Sequence, residues 1–489
     1  MSKKILIIGS GIAGLSSGCY AQMNGFSSEI FEMQAHAGGL CTAWKRKDYI
    51  FDGCVHWLTG SSPDSNYYPF WVEIGLIQDK KFYHYENAYH YITESGRNVV
   101  IHVDPDELEK EMLAIAPEDK KRIHALITDI RKLQKYEIPV EFGLKALNGL
   151  FTVLSFFYRY RMNNKEYASR FKNPELRSIM QHVMNWHEMS VSFPIWSIAT
   201  MGSGKGGYPY GGSAGLIRSV EERYRKLGGT IRFNSRVKKI LTETNKAVGI
   251  LLEDGTEHRG DFIISAADGH STIFDWLDGK YVNKKLRRIY DTFRPFPPLV
   301  YVSMGIDADL SHEPHAISYP LKNPVRIGKE EKKRIEIRNY AFDPALCPKG
   351  KSIIIFMTTT EWEYWEPMKN DPERYLAEKK LIEEASLSAL SERYPDIRPK
   401  VEVIDIATPL TYNRYTGNWK GSYEGWLFNK KSALTRIPVT LPGLTNFYMT
   451  GHWVSPGGGL PSGLLTARGV LKKICKSEKI SFKTIRNID

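Results

Sequence analysis

The sequence predicts an α/β protein organised around a Rossmann-like unit, and three observations carry that prediction. Lys3 to Ile8 is an apolar run of strand formers that breaks at Gly9-Ser10-Gly11-Ile12-Ala13-Gly14, and a helical pattern continues from Ile12 to Met23. A second glycine pair, Gly38-Gly39, follows an acid, Glu32, that ends the next strand pattern. A third glycine run, Gly457-Gly458-Gly459, precedes a helical pattern from about Leu464 to Ile474 near the far end of the chain.

The first of these is a strand, a turn and a helix in succession, the context that makes a Gly-x-Gly-x-x-Gly match a dinucleotide site. Gly9 allows the tight turn, Gly11 lets backbone approach a pyrophosphate, and Gly14 lets the helix pack on its strand. Phosphates then sit at the start of the helix, beside Ile12 and Ala13, where free N–H groups and roughly half a unit of positive charge await them. Gly25 closes the helix, and Ser28 to Glu32 reads as the second strand. An acid at the position of Glu32 accepts both hydroxyls of an adenosine ribose and disfavours a 2′-phosphate.

With 489 residues the chain is too long for one compact core, so two domains or intertwined lobes are expected. Hydrophobic content of 42% and charged content of 25% are those of an ordinary globular protein. The net charge of +12 is scattered, apart from Lys45-Arg46-Lys47, the stretch Lys329 to Arg334 and the tail after Lys472. No nucleic-acid motif accompanies it, so no nucleic-acid partner is expected. The five cysteines are few, odd in number and not at metal-ligand spacing, which predicts a reducing, cytoplasmic setting and no metal. No stretch of about 20 apolar residues offers a membrane span. The apolar run at the start is only a strand's length and carries no signal-peptide pattern.

From Ser61 to about Gly206 the texture is helical and rich in aromatics, with good helices at Pro105 to Ile115 and Pro117 to Tyr136. Gly143 to Leu150 leads into Phe151-Thr152-Val153-Leu154-Ser155-Phe156-Phe157-Tyr158, closed by Arg159 and Arg161. Two readings stand for this run: a buried helix, or an interfacial segment with apolar residues in lipid and arginines at head groups. After Tyr208-Pro209-Tyr210-Gly211-Gly212 comes an amphipathic helix stopped by Gly228-Gly229. Thr230 to Phe233 is a strand, and Ala247 to Leu252 with Glu257 to Ile264 reads as a hairpin. Strands at Leu299 to Ile306 and Ser352 to Met357, with a helix from Tyr375 to Leu390, suggest a second, sheet-based lobe.

A nicotinamide-binding unit needs no second glycine pair so soon after its ribose acid. The stretch Ala37-Gly38-Gly39-Leu40-Cys41-Thr42, followed by Phe51-Asp52-Gly53-Cys54-Val55-His56-Trp57, resembles the opening of the phytoene desaturase, carotenoid isomerase and retinol saturase group of FAD-dependent oxidoreductases. Thr408-Pro409-Leu410-Thr411, Arg414 to Gly421 and Gly451-His452-Trp453-Val454-Ser455-Pro456-Gly457-Gly458-Gly459-Leu460-Pro461 are similar to the same group. The resemblance implies a discontinuous Rossmann-like FAD-binding domain of the glutathione reductase/amine oxidase type, with an inserted α+β substrate domain. Residues 1–60, 207–290 and 405–475 form the first, 61–206 and 291–404 the second, and 476–489 a basic tail.

By that resemblance FAD is the cofactor, contacted by Gly9, Gly11, Ile12, Ala13, Gly14, Glu32, Gly38, Gly39, Leu40, Val237, Ala266, Gly451, His452, Gly458, Gly459 and Leu460. Val237 matches the position whose backbone meets adenine, and Ala266 a small residue packed beside the cofactor. Two departures stand out: Leu40 where many relatives have a basic residue, and His452 where many have an acid or amide. The implied activity is desaturation or saturation of carbon–carbon bonds in a long, apolar, polyene or isoprenoid-like substrate, by hydride transfer with flavin N5. His56 is the candidate for the second proton, against a purely structural role beside Trp57. The alternatives are a non-redox isomerase that needs reduced FAD, an amine oxidase-like enzyme, and a flavin-binding lipid escort without turnover. A cytoplasmic protein, peripheral on the inner face of a membrane through the 151–158 run, is the expected setting.

Overall fold

Strand β1 (Lys4–Ile8) lies at the centre of a five-stranded, all-parallel sheet. Helix α1 (Ile12–Met23) returns the chain to β2 (Ser27–Phe31). Much later α2 (Gly212–Lys226) feeds β3 (Thr230–Arg232), followed by β4 (Phe262–Ser265), β5 (Phe447–Met449) and α3 (Gly459–Ser477). The sheet order is β3-β2-β1-β4-β5. This computed structural model describes residues 2–138, 140, 147–183, 188–433 and 435–485.

β1 is apolar at nearly every position because both of its faces are covered. Ile5 and Ile7 pack with Leu15 and Tyr20 of α1 and Leu464 and Leu471 of α3. Leu6 and Ile8 pack on the other side with Val237, Ile240 and Ile250 of a three-stranded antiparallel sheet, Val237–Glu243, Lys246–Leu252 and Glu257–Arg259. Strand order reverses between β2-β1 and β4-β5, which opens a crevice at the carboxyl ends of the strands.

The second sheet has seven strands in the order Val401–Ala407, Leu299–Ile306, Ser352–Thr359, Glu330–Asn339, Ala316–Ile327, Asn87–Ile92 and Asn98–His102. Its strands Leu299–Ile306 and Ser352–Thr359 are buried on both sides. Tyr301 and Ile355 face the helices Pro105–Ile115, Lys120–Lys135 and Ser192–Gly202, whereas Val300, Val302 and Ile354 face the helix Pro372–Arg393.

Three expectations need correction. Asn87–Ile92 and Asn98–His102 are strands inside the stretch read as helical; they pair with each other, and Asn87–Ile92 pairs onto Ala316–Ile327, more than two hundred residues away, a contact no local pattern announces. The Glu257 to Ile264 arm is two elements: Gly260, where a Cβ would come within 2.7 Å of Leu6 Cγ, bends the chain from the antiparallel sheet into β4. The last helix begins at Gly459 rather than near Leu464.

The apolar run is the helix Leu147–Arg159. Val153 and Phe156 are buried, but Phe151, Leu154 and Tyr158 are 81%, 58% and 67% exposed, so it is apolar toward the core and toward solvent alike. Arg161 lies 3.9 Å from the centre of the Tyr158 ring. The lead-in Gly143 to Ala146 and the tail residues 486–489 lie outside the described residues. Before that point the tail is strapped to the first sheet's helices: Asn24 Nδ2 donates to Lys483 O at 3.0 Å, Lys483 N–H donates to Asn24 Oδ1 at 2.7 Å, and Phe482 packs 5.7 Å from the Tyr20 ring. Among the described residues no helix is long and apolar enough to cross a membrane.

Candidate active site

The carboxyl ends of β1, β2, β4 and β5 and the starts of α1 and α3 meet around one cavity of about 500 Å³. Of the residues expected to contact the cofactor, Gly9, Gly11, Ile12, Ala13, Glu32, Gly38, Gly39, Leu40, Val237, Ala266, Gly451, His452, Gly459 and Leu460 line it. Tyr415 and Asn418 line it too. Residues more than four hundred positions apart in sequence thus share one wall.

Gly14 and Gly458 stand behind that wall. A Cβ on Gly14 would lie 1.9 Å from the carbonyl oxygen of Gly9, so the bare glycine is what lets α1 close on the turn. Gly458 is the residue before α3 and has φ +56°, a backbone that favours glycine. A Cβ there would also press on Glu424, 2.7 Å from its Cβ.

Glu32 is buried and already held: Ser10 N–H and Ser10 Oγ donate to Oε2 at 2.8 and 2.7 Å, and Gln34 N–H donates to Oε1 at 2.9 Å. The carboxylate is fixed beside the glycine turn with lone pairs left for hydroxyl donors. At the starts of α1 and α3 no side chain caps the first turn, which leaves the helix N–H groups available to an anionic ligand. At the end of β5 the Thr450 hydroxyl is buried without a partner among the described residues, on this same wall. Orphaned buried polar atoms need an explanation, and a bound polar ligand supplies one. The donor set, the carboxylate and the two bare helix starts fit a dinucleotide whose two ends are polar and whose pyrophosphate is anionic.

Sequence reasoning passed over several residues of the wall. Asp268, one past Ala267, accepts the N–H groups of Ser271 at 2.7 Å and Trp419 at 2.9 Å; burial raises its pKa to about 6. Cys41, Cys54, Tyr423 and Glu424 are also on it. The stretch Thr408 to Gly421 signals that this part of the chain matters, but nothing in its spacing points to Glu424. His452 carries no partner charge and burial alone lowers its pKa to about 4, so its imidazole is neutral at pH 7.

His56 does not line the cavity. It follows the hairpin Ala43–Arg46 and Tyr49–Asp52, which is anchored by Asp52. Asp52 accepts Ser213 N–H at 2.9 Å, Cys54 N–H at 3.1 Å and Tyr208 O–H at 3.2 Å, as well as the Ser213 hydroxyl. His56 Nδ1 is 2.7 Å from Tyr340 Oη, and Tyr85 O–H donates to the His56 carbonyl at 2.9 Å. Its Nε2 is sealed from solvent and has no partner among the described residues. Burial, with the Arg338 guanidinium nearby, holds the imidazole well below its usual pKa and therefore neutral. Arg46 ion-pairs with Asp405 at 2.7 Å and is not on the cavity wall.

A parallel sheet with a glycine turn, a fixed ribose-side acid and a second bare helix start at the opposite end defines an FAD-binding oxidoreductase. The family model for flavin containing amine oxidoreductases matches residues 12–471, and the chain belongs to that family. It is 23% identical to a chloroplastic prolycopene isomerase of Arabidopsis thaliana, over 97% of this chain and 83% of that one. To a 1-hydroxycarotenoid 3,4-desaturase of Flavobacterium it is 26% identical, over 95% of this chain and 98% of that one. Among solved structures, an oxidoreductase from Methanosarcina mazei superposes with a TM-score of 0.60 at 18% identity, over 96% of this chain and all of that one.

Proposed function

We propose that the protein desaturates or saturates a carbon–carbon bond of a long, apolar, polyene-like substrate, with FAD as its redox partner. The observation that carries this reading is the single cavity that joins the turn after β1 to the start of α3. The names of the similar proteins, which act on carotenoids, support the substrate class. The flavin, when bound, exchanges hydride at N5.

The chain's own residues hold and orient it. Glu32 takes the ribose hydroxyls, the N–H groups around Gly11, Ile12 and Ala13 take pyrophosphate, and Val237 and Ala266 flank the adenine end. Gly38, Gly39, Leu40, Gly451 and His452 support the middle, and the N–H groups of Gly459 and Leu460 take negative charge at the flavin end, with Gly458 supplying the backbone bend that aims them. Gly14 serves by letting α1 approach. His56, off the cavity wall and held against Tyr340 and Tyr85, is better suited to the structural role beside Trp57 than to moving the second proton. The cofactor lobe comprises residues 1–60, 207–290 and 405–475, and the substrate lobe 61–206 and 291–404.

Anaerobic mixing tests the reading. Bleaching of the oxidised flavin by phytoene means desaturation, and recolouring of the reduced flavin by lycopene or retinol means saturation. Folded protein that neither carries nor takes up FAD, or a flavin unmoved by every polyene in both redox states, overturns it. The Arabidopsis relative favours a second reading, isomerisation, whose mark is isomerised product with no net flavin change.

We further propose a cytoplasmic protein, peripheral on the inner face of the membrane, a reading supported by the exposed Phe151, Leu154 and Tyr158. Burying each large apolar side chain is worth roughly 1.5–3 kcal/mol, so changing all three to Ser is expected to weaken liposome binding by at least about 100-fold without unfolding the protein. Phe156→Ser is the contrasting variant: that ring is buried, and its loss shows as destabilisation. Unchanged co-sedimentation of the triple variant removes the anchor from this helix.

A further inference from the structure

We propose that Glu424 is the catalytic acid of this site, giving up the proton that accompanies hydride when a C=C bond is saturated and taking it back in the reverse direction. The inference rests on the redox reading above and adds the group that completes its proton balance.

Glu424 lies on the cavity wall with Cys54, Tyr423, His452 and Leu460. Its loop is held from several sides. Asn418 Nδ2 donates to Ser422 O at 3.1 Å, Ser422 Oγ donates to Gly425 O at 3.0 Å, Phe296 N–H donates to the same carbonyl at 2.6 Å, and Tyr423 O–H donates to Gly53 O at 2.9 Å. Gly458 passes so close that a Cβ on it would be 3.1 Å from Glu424 Oε2, which puts the carboxyl beside the start of α3. That helix end is the one assigned above to the flavin.

The buried acids around it are each tied to the backbone nearby: Glu32 holds Ser10 and Gln34, Asp52 holds Ser213 and Cys54, and Asp268 holds Ser271 and Trp419. No described residue donates a hydrogen bond to the Glu424 carboxyl, and burial alone acts on it, raising its pKa to about 8. The titratable groups that face it are the Cys54 thiol, the Tyr423 hydroxyl and the His452 imidazole. Burial holds the phenol well up and the imidazole down at about 4, and the neighbouring Cys41 together with burial holds the thiol well up, so all three are uncharged at pH 7. The positive end of α3 favours a carboxylate, but it acts at the helix terminus alone and burial outweighs it. At neutral pH the corner therefore holds one weakly bound proton, and Glu424 carries it. A carboxylic acid kept neutral near the working pH is suited to general acid chemistry.

The balance is explicit. Saturation of one C=C bond takes two electrons and two protons. Hydride from the reduced flavin brings both electrons and one proton to one carbon, and the flavin is oxidised. The Glu424 O–H bond breaks as the second C–H bond forms at the other carbon, and the carboxylate recovers its proton from water. Desaturation runs the same transfers backwards, with Glu424 ionised at the start.

Infrared spectroscopy of the FAD-loaded protein tests the protonation without turnover. The carbonyl stretch of a neutral carboxylic acid is expected at pH 7, fading with a midpoint near 8 and missing from Glu424→Gln. Kinetically, Glu424→Gln is expected to keep its flavin absorbance while slowing single-turnover reoxidation of reduced flavin by lycopene or retinol by about 10²–10⁴-fold. Glu424→Asp recovers part of the rate, and carries the test if the amide variant loads no FAD. A wild-type protein without that carbonyl band at pH 7, or a flavin-loaded Glu424→Gln within threefold of the wild-type rate, overturns the inference. Failure of the redox reading looks different: no polyene exchanges electrons with the wild-type flavin, while the band remains.

Discussion

Gly14→Ala is expected to yield a protein that purifies without FAD and unfolds at lower denaturant than the wild type. The added methyl would sit 1.9 Å from the Gly9 carbonyl oxygen and 3.4 Å from Ala266 Cβ, and a backbone atom cannot swing aside as a long side chain can. α1 must therefore lift off β1, and its first N–H groups leave the cavity with it. Overpacking of this kind costs roughly 1–3 kcal/mol. Loss of the cofactor removes a further stabilisation, about 2.7 kcal/mol where FAD stands at 100 times its Kd. Gly215→Ala in α2 is the matched control. Beyond its own helix, no described residue has an atom within 4 Å of its Cβ position, so a neutral effect or a gain of up to about 1 kcal/mol is expected there. Flavin absorbance per polypeptide and a urea midpoint check both variants; a yellow Gly14→Ala protein with an unchanged midpoint would sink the account.

Asp52→Ala carries the second large effect. The side chain ties the hairpin before His56 to the start of α2 through Ser213 and to the Gly206–Pro209 strand through Tyr208. Removing it strands two backbone N–H groups and two hydroxyls in a fully buried place. Unsatisfied buried groups cost about 1–3 kcal/mol each, so a loss of at least about 4 kcal/mol is expected even after partial relaxation. Gly212 shows how tightly the place is built, since a Cβ there would lie 2.3 Å from Asp52 Oδ2. Asp52→Asn keeps one acceptor oxygen and is expected to lose about half as much. Equilibrium unfolding with the two variants side by side measures the difference, and equal losses would show that the carboxylate's second oxygen contributes nothing.

The parts of the fold that rest on local signals were legible in the sequence. β1, the glycine turn and α1 are adjacent in the chain, and Glu32 follows from their spacing. The third glycine run was visible for the same reason. The strands Asn87–Ile92 and Asn98–His102 were not: they form a hairpin inside a stretch dominated by helices, and what fixes Asn87–Ile92 in the larger sheet is Ala316–Ile327, far along the chain. Gly260 bends the chain for a reason that lies on β1, at Leu6. Within the site, glycines announce themselves through turns, whereas an acid such as Glu424 is marked only by what surrounds it after folding. His56 has the opposite history: its motif was conspicuous, yet the chain places it against Tyr340 and Tyr85 rather than on the cavity wall.

The route of the chain through the parallel sheet also bears on biosynthesis. β1 and β2 are complete within the first few dozen residues, but β5, the last strand of that sheet, is Phe447–Met449. At roughly 5–20 residues per second a ribosome needs on the order of 20–80 s to make the intervening 400 or so residues. During that interval the apolar faces that await α3 are exposed to whatever is nearby, and so, once it has been made, is the edge of β4. Sheets closed by such distant contacts form slowly, because the loop-closure entropy is lost before the pairing repays it. Flavin loading is thus confined to the end of translation, and a cell short of FAD at that moment is expected to accumulate nascent chains that need chaperones rather than stable apoprotein.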